Sequence, residues 1–159
     1  MISGGKHQGI IVQISRDFKG IDVSLQRLKK LVKTVCLHFG LSKVTVSIAI
    51  VADAQFRKLN KQFSGRKGTS DCLSFDLSDG RPRSLKLFEI IVNGEKAIKE
   101  AKLRGLMGET EAALYITHGL LHNLGFDDST IGSAKKMHDT EDRILRQLGY
   151  GFVYNKGAR

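Results

Sequence analysis

The chain has 159 residues, a formal net charge of +10 at pH 7 and a sequence pI of about 9.8. This length suffices for one domain with a substantial core, and we predict a single domain over residues 1–159 with loose tails at 1–8 and 154–159. No apolar run approaches the roughly 18 residues that a membrane-spanning helix needs. Cys36 and Cys72 lie far apart in apolar segments, a pattern typical of reduced thiols in a cytoplasmic protein.

The periodicity of apolar residues predicts strands and helices in a mixed order along the chain. Runs rich in β-branched residues predict strands at 9–15, 43–51, 72–77 and 85–92. Helical periodicity predicts helices at 24–39, 53–63, 94–103, 109–124 and 133–148. Asp22 or Ser24 is the predicted N-cap of the first helix, and Asp53 that of the second. This order predicts an α+β fold, in which a single-layer mixed sheet of about four strands is covered by helices.

A histidine pair marks the fourth predicted helix. The string HGLLHNLGFDD begins at His118 and places His122 four residues later. Such positions lie on one face of a helix with Cβ atoms about 5–6 Å apart, which lets two imidazoles bind one metal ion. Gly125 predicts the end of the helix, and Asp127 and Asp128 follow as candidate third ligands. The pattern indicates a catalytic zinc site whose fourth position is left for water.

The alternative interpretation is that both histidines are ordinary core residues. The helix around them is apolar on nearly all sides, so it should be buried. Burying two imidazoles without partners costs free energy, and a shared ion would remove that cost. We therefore favour the metal site.

Basic residues are concentrated in two stretches. Residues 54–70 contain no acid and five basic residues: Arg57, Lys58, Lys61, Arg66 and Lys67. A second set lies along one predicted helix: Lys96, Lys99, Lys102 and Arg104. The charge favours contact with nucleic acid, and the alternative is a solvated surface. Aromatic residues are not interleaved with these cations, so base stacking is not indicated.

The histidine string resembles the H-G-x-L-H-x-x-G-[YF]-D-H motif of YbeY-type proteins, bacterial endoribonucleases of ribosomal RNA maturation. The match runs through Asp127, and Asp128 stands where the family has its last histidine. A second segment resembles the family at Leu59, Asn60, Phe63, Ser70, Asp71, Cys72, Leu73, Ser74 and Phe75. A third resembles its last helix at Met137, Glu141, Ile144 and Leu145. Together the segments extend over most of the chain.

The resemblance implies an α+β fold with a zincin-like metal helix buried against the sheet. It also implies a metal-dependent, single-strand-specific endoribonuclease that acts in 16S ribosomal RNA 3′-end maturation and ribosome quality control. Its partners would be ribosomal RNA and the small ribosomal subunit, in the cytoplasm. We expect one zinc ion per chain, held by His118, His122 and Asp128. Manganese or another divalent ion is the alternative, because an aspartate oxygen suits harder ions than histidine does.

The resemblance also suggests roles for neighbouring residues. Ser64 occupies the position of a family arginine, and Arg66 is predicted to replace it as the catalytic cation that holds a phosphate oxygen. Asp127 is predicted to be catalytic: it would orient a ligand histidine, act on the water, or replace Asp128 as the ligand. Glu141 either touches the site or forms a salt bridge on its helix. The residues predicted to bind RNA are Arg57, Lys58, Lys61, Lys67, Ser70 and Asp71; for the last two the alternative is a cap at the start of a strand.

Two other functions compete with RNA hydrolysis. Zinc peptidases carry H-E-x-x-H, in which the glutamate is the general base. Gly119 stands at that position and cannot accept a proton, so the sequence argues against a metallopeptidase. A non-catalytic ribosome assembly factor with a degenerate site is the other alternative, because the family's arginine and third histidine are absent.

Overall fold

The computed structural model describes residues 9–63, 71–81 and 84–151. The strands are β1 (Ile10–Arg16), β2 (Val44–Val51), β3 (Cys72–Asp76) and β4 (Lys86–Asn93). The helices are α1 (Leu25–His38), α2 (Asp53–Gln62), α3 (Gly94–Arg104), α4 (Gly108–Asn123) and α5 (Ile131–Gln147). The order of strands and helices is the predicted one.

The four strands form one mixed sheet in the order β1-β2-β4-β3. β1 pairs with β2 and β2 with β4 in parallel, whereas β3 pairs with β4 antiparallel. The central strand β2 reads VTVSIAIV, a β-branched composition suited to a buried pleated surface. The predicted α+β fold with a four-stranded mixed sheet is confirmed.

Helices cover the two faces of the sheet unequally. α1 and α4 pack on one face, where Val46, Ile48 and Ile90 are buried in the main core. α2 covers part of the other face, and its Phe56 is 1% exposed in a smaller cluster with Leu73. Burying a side chain of that size stabilises the fold by about 1.5–3 kcal/mol. The metal helix α4 is therefore held between the sheet and neighbouring helices.

The two predicted helix caps differ in outcome. Ser24 caps α1, where its side chain accepts a hydrogen bond from the Arg27 backbone N–H. The prediction that Asp53 is an N-cap is wrong, because Ala52 occupies the cap position of α2. The Asp53 carboxylate instead accepts hydrogen bonds from Asn93 Nδ2 at 2.8 Å and Arg57 Nε at 2.7 Å. These contacts hold the carboxylate away from the first N–H groups of the helix.

Several predictions concern residues outside the described ranges. These are the tails at 1–8 and 154–159 and the residues Ser64, Arg66, Lys67 and Ser70. Within the described ranges, no helix is long and apolar enough to cross a membrane. Cys36 and Cys72 are both buried, in agreement with the prediction that they are core residues.

Candidate metal centre

Helix α4 ends in a glycine turn that directs the chain back toward its own histidines. Gly125 has a φ of +99°, a conformation that costs other residues roughly 1–2 kcal/mol. The Gly125 N–H donates to the His122 carbonyl at 3.0 Å, and the Phe126 N–H donates to the Leu121 carbonyl at 2.9 Å. This pair of bonds is a Schellman motif. The turn places Asp128 beside the two histidines.

The two histidines and Asp128 bring three ligand atoms together. His118 Nε2 lies 3.1 Å from His122 Nε2. Asp128 Oδ2 lies 3.7 Å from His118 Nε2 and 3.8 Å from His122 Nε2. Two ligands of a tetrahedral zinc ion, each about 2.0–2.1 Å from the metal, are separated by roughly 3.3–3.4 Å. The triangle therefore has the size that one divalent ion requires.

The hydrogen bonds of the imidazoles favour a cation at the centre of this triangle. His118 Nδ1 lies 2.6 Å from Glu141 Oε2, and His122 Nδ1 lies 3.1 Å from the Phe126 carbonyl oxygen. A carboxylate and a carbonyl oxygen can only accept, so each Nδ1 donates its proton. In neutral imidazoles, both Nε2 lone pairs then face each other. Such an arrangement is repulsive alone and favourable around a metal ion, so the donor set fits a divalent metal.

The site opens to solvent on the side of the aspartate. The side chains of His118, His122 and Asp128 are 14%, 33% and 41% exposed. Burial alone would lower the pKa of His118, but its hydrogen bond to Glu141 and the charge of that carboxylate outweigh burial and raise the pKa. One side of the triangle is thus open to solvent, while Glu141 lies fully buried behind His118.

Asp127 lies next to the centre but its carboxylate turns to another partner. Its two oxygens accept hydrogen bonds from the Ser129 backbone N–H and from Ser129 Oγ, each at 2.8 Å. These bonds lower the pKa of Asp127. Asp128 is the carboxylate that joins the two histidines in the triangle. A catalytic role for Asp127 stays a prediction.

The other predicted site residues are distributed around the molecule. Asp71 immediately precedes β3, and its charge contributes to the raised pKa of His118. Burial raises the pKa of the neighbouring Cys72 thiol well above its ordinary value, so Cys72 is a poor nucleophile. Arg57, Lys58 and Lys61 are exposed on α2, which packs against β4 and α3. Their contact with RNA stays a prediction.

Two features of the site were missed at the level of sequence. The first is the Phe126 backbone carbonyl, whose oxygen accepts a hydrogen bond from His122 Nδ1. The sequence feature that could have indicated it is Gly125, because its positive φ fixes the direction of the chain at residue 126. The second is a cavity of about 300 Å³ beside the turn that follows α4, lined in part by Phe126, Asp127, Ser133 and Lys136. Lys136 Nζ lies 5.9 Å from the centre of the Phe126 ring. The cavity is thus lined by a cation, an aromatic ring and the turn that precedes Asp128.

Gly119, which stands where zinc peptidases have their catalytic glutamate, also has a packing role. A Cβ at position 119 would lie 3.2 Å from Ile90 Cγ2, and Ile90 is fully buried in the central part of β4. The glycine lets α4 approach the sheet closely. A larger side chain here would require Ile90 or the helix to shift, which is a second argument against a glutamate at this position and hence against a metallopeptidase.

Gly119→Val is expected to lower the free energy of unfolding by about 1–3 kcal/mol, because the added methyl groups overpack the contact with Ile90. Urea denaturation measures this change. Gly132→Val is the matched control, since position 132 is also helical but faces open space. Equal effects of the two substitutions would contradict the close packing of α4 on β4.

Comparisons with known proteins identify relatives of this chain. The family model described as Endoribonuclease YbeY matches residues 13–149. A relative from Thermodesulfovibrio yellowstonii, named Endoribonuclease YbeY, is 33% identical over 136 residues, which cover 78% of this chain and 86% of the relative. Another of that name, from Myxococcus xanthus, is 36% identical over 116 residues. That match covers 71% of this chain but only 40% of the longer relative.

A solved structure supports the same fold. The solution structure of a Thermotoga maritima protein superposes with a TM-score of 0.56 and 21% identity, and covers 86% of this chain and 91% of that one. At this identity the likeness concerns the fold alone. The family model and the relatives carry the assignment: the chain belongs to the Endoribonuclease YbeY family, whose members are nuclease hydrolases.

Proposed function

We propose that this protein is a metal-dependent endoribonuclease that cleaves single-stranded RNA. The observation that carries the proposal is the pair of Nε2 atoms 3.1 Å apart, each turned toward the other by a hydrogen bond at its Nδ1. With Asp128, they offer three ligands on a partly exposed surface. A divalent ion held there supplies a Lewis acid for a phosphate oxygen and lowers the pKa of a water. Zinc is the ion we expect, with manganese as the alternative.

The residues around the centre have complementary tasks in this proposal. Glu141 and the Phe126 carbonyl orient the histidines. Asp127, whose carboxylate accepts two hydrogen bonds from Ser129, is proposed to act on the water at the exposed side. Arg66 is the proposed phosphate-binding cation. The exposed cations of α2 add attraction for the RNA backbone, which depends on salt concentration.

We further propose ribosomal RNA as the substrate, with the small ribosomal subunit as the partner in the cytoplasm. The support is family membership together with the formal net charge of +10. A protein of this charge is attracted to RNA at a distance. Maturation of the 16S ribosomal RNA 3′ end and ribosome quality control are the processes in which the proposed activity would act.

The proposal is tested with single-stranded and duplex RNA oligonucleotides of one sequence. Protein purified without chelator should cleave the single strand, lose activity after metal removal and regain it with Zn²⁺ or Mn²⁺. Cleavage that survives complete metal removal would contradict the metal-dependent mechanism. Binding to small subunits without any RNA cleavage would favour the non-catalytic assembly factor instead, and casein cleavage would favour a peptidase.

A further inference from the structure

Glu141 is the buried charge closest to the metal centre. It lies on α5, is 0% exposed, and reaches across to α4, where its Oε2 lies 2.6 Å from His118 Nδ1. Its other oxygen, Oε1, is also buried and has no hydrogen-bond partner within the described ranges. Burying a carboxylate costs several kcal/mol unless its interactions compensate. A single neutral imidazole N–H is a poor compensation for such a cost.

The position of Glu141 relative to the ligands explains why a charge is kept there. A carboxylate at Nδ1 fixes the tautomer whose Nε2 lone pair is free, and it makes the imidazole a stronger donor. His122 has only a neutral carbonyl oxygen at the equivalent atom, at 3.1 Å. The centre is therefore asymmetric, with the shorter and charged contact on His118. Asp128 and Glu141 together carry two negative charges, which balance one divalent ion.

We propose that Glu141 is the positioning residue of the centre. It holds His118 in the metal-binding tautomer and adapts the site to a divalent ion, and its buried charge lowers the stability of the metal-free protein. This inference rests on the metal-dependent activity proposed above. It predicts that one substitution weakens metal binding without lowering the stability of the metal-free protein, which a merely structural glutamate would not do.

The test compares Glu141→Gln with Glu111→Gln. Both glutamates are buried and both substitutions remove one charge, but Glu111 pairs with Arg104 at 3.2 Å and lies seven residues before His118 on α4. Co²⁺ affinity is measured by competition with a chromogenic chelator. Glu141→Gln should weaken Co²⁺ binding about 10–100-fold, in part because its amide can donate to Nδ1 and favour the wrong tautomer. Glu111→Gln should leave Co²⁺ affinity unchanged.

Thermal unfolding of the metal-free proteins provides the second readout. Glu141→Gln should leave the midpoint unchanged or raise it, because it removes a buried, poorly compensated charge. Glu111→Gln is the control for the loss of a buried negative charge that does not contact the ligands. A lower midpoint and an unchanged Co²⁺ affinity in Glu141→Gln would overturn the positioning role and leave the metal site intact. Wild-type protein that bound no Co²⁺ would overturn the site itself, and with it this inference.

A measurement on the wild-type protein avoids dependence on the folding of a variant. The ¹⁵N chemical shifts of the His118 ring in metal-free protein at pH 8 report its tautomer. The inference predicts that Nδ1 carries the proton. A proton on Nε2 would overturn it, because that nitrogen would have to be deprotonated before it could bind a metal.

Discussion

We expect His122→Ala to reduce RNA cleavage by about a thousandfold or more while the protein stays folded. The metal contribution to transition-state stabilisation is several kcal/mol, and each 1.36 kcal/mol is a factor of ten in rate. His122 is one of three ligands and is one-third exposed. Its removal therefore disrupts the centre while creating little cavity in the core. Single-turnover cleavage of a fluorescent single-stranded RNA measures the effect, and circular dichroism checks the fold.

His38→Ala is the matched control for that substitution. His38 is exposed at the end of α1, where its ring contacts Phe39. Its replacement should leave cleavage unchanged. Full activity in His122→Ala would show that the histidine pair does not carry the chemistry, whatever the metal content of the protein.

The largest stability effect is expected from Glu109→Gln, at about 2–3 kcal/mol, because hydrogen bonds to charged groups contribute about 1.5–3 kcal/mol. Glu109 is 3% exposed in the first turn of α4. Its carboxylate accepts from the Ser24 N–H at 2.7 Å, from Arg27 Nε at 2.8 Å and from Tyr150 Oη at 2.6 Å. It thus joins the start of α1, the start of the metal helix and the chain beyond α5. In urea denaturation, Tyr150→Phe should show a smaller loss of about 1–2 kcal/mol.

The contribution of Glu109 also depends on pH. Burial alone would raise its pKa, but Arg27, Tyr150 and the Ser24 N–H outweigh burial and lower it in the folded state. A lowered pKa gives stability that is complete above the unfolded value of about 4.3 and is lost as the pH falls through the folded value. The stability difference between wild type and Glu109→Gln should therefore shrink below about pH 4. The control is Glu89→Gln on the exposed side of β4, which should change the free energy of unfolding by less than about 0.5 kcal/mol. If the stability difference between wild type and Glu109→Gln did not depend on pH, this account would be contradicted.

The parts of the structure that short-range sequence patterns determine could be predicted. The strand β2 follows from its run of β-branched residues, the start of α1 from Ser24, and the turn after α4 from Gly125. The three ligand positions fall within eleven consecutive residues, His118 to Asp128. Helix periodicity and one glycine turn are enough to place them together.

Contacts between distant residues could not be predicted. Glu109 is separated from Arg27 by 82 positions, and no local pattern signals that pair. Aspartate is a residue type that often caps helices, but the Asp53 carboxylate accepts a hydrogen bond from Asn93, which is 40 residues away. For Glu141, the sequence left open a contact with the site or a salt bridge on its own helix, and the packing of α5 against α4 decides for the contact with His118. Side-chain partners of this kind depend on packing that a single sequence does not display.

The central claim is that His118, His122 and Asp128 form a metal site. Elemental analysis of tag-free protein purified without chelator tests it most directly, as metal bound per chain. We predict a value close to one, with zinc or manganese as the ion. A value near zero that persists after both ions are offered would contradict the claim, since it would show that Asp128 does not replace the histidine of the family motif.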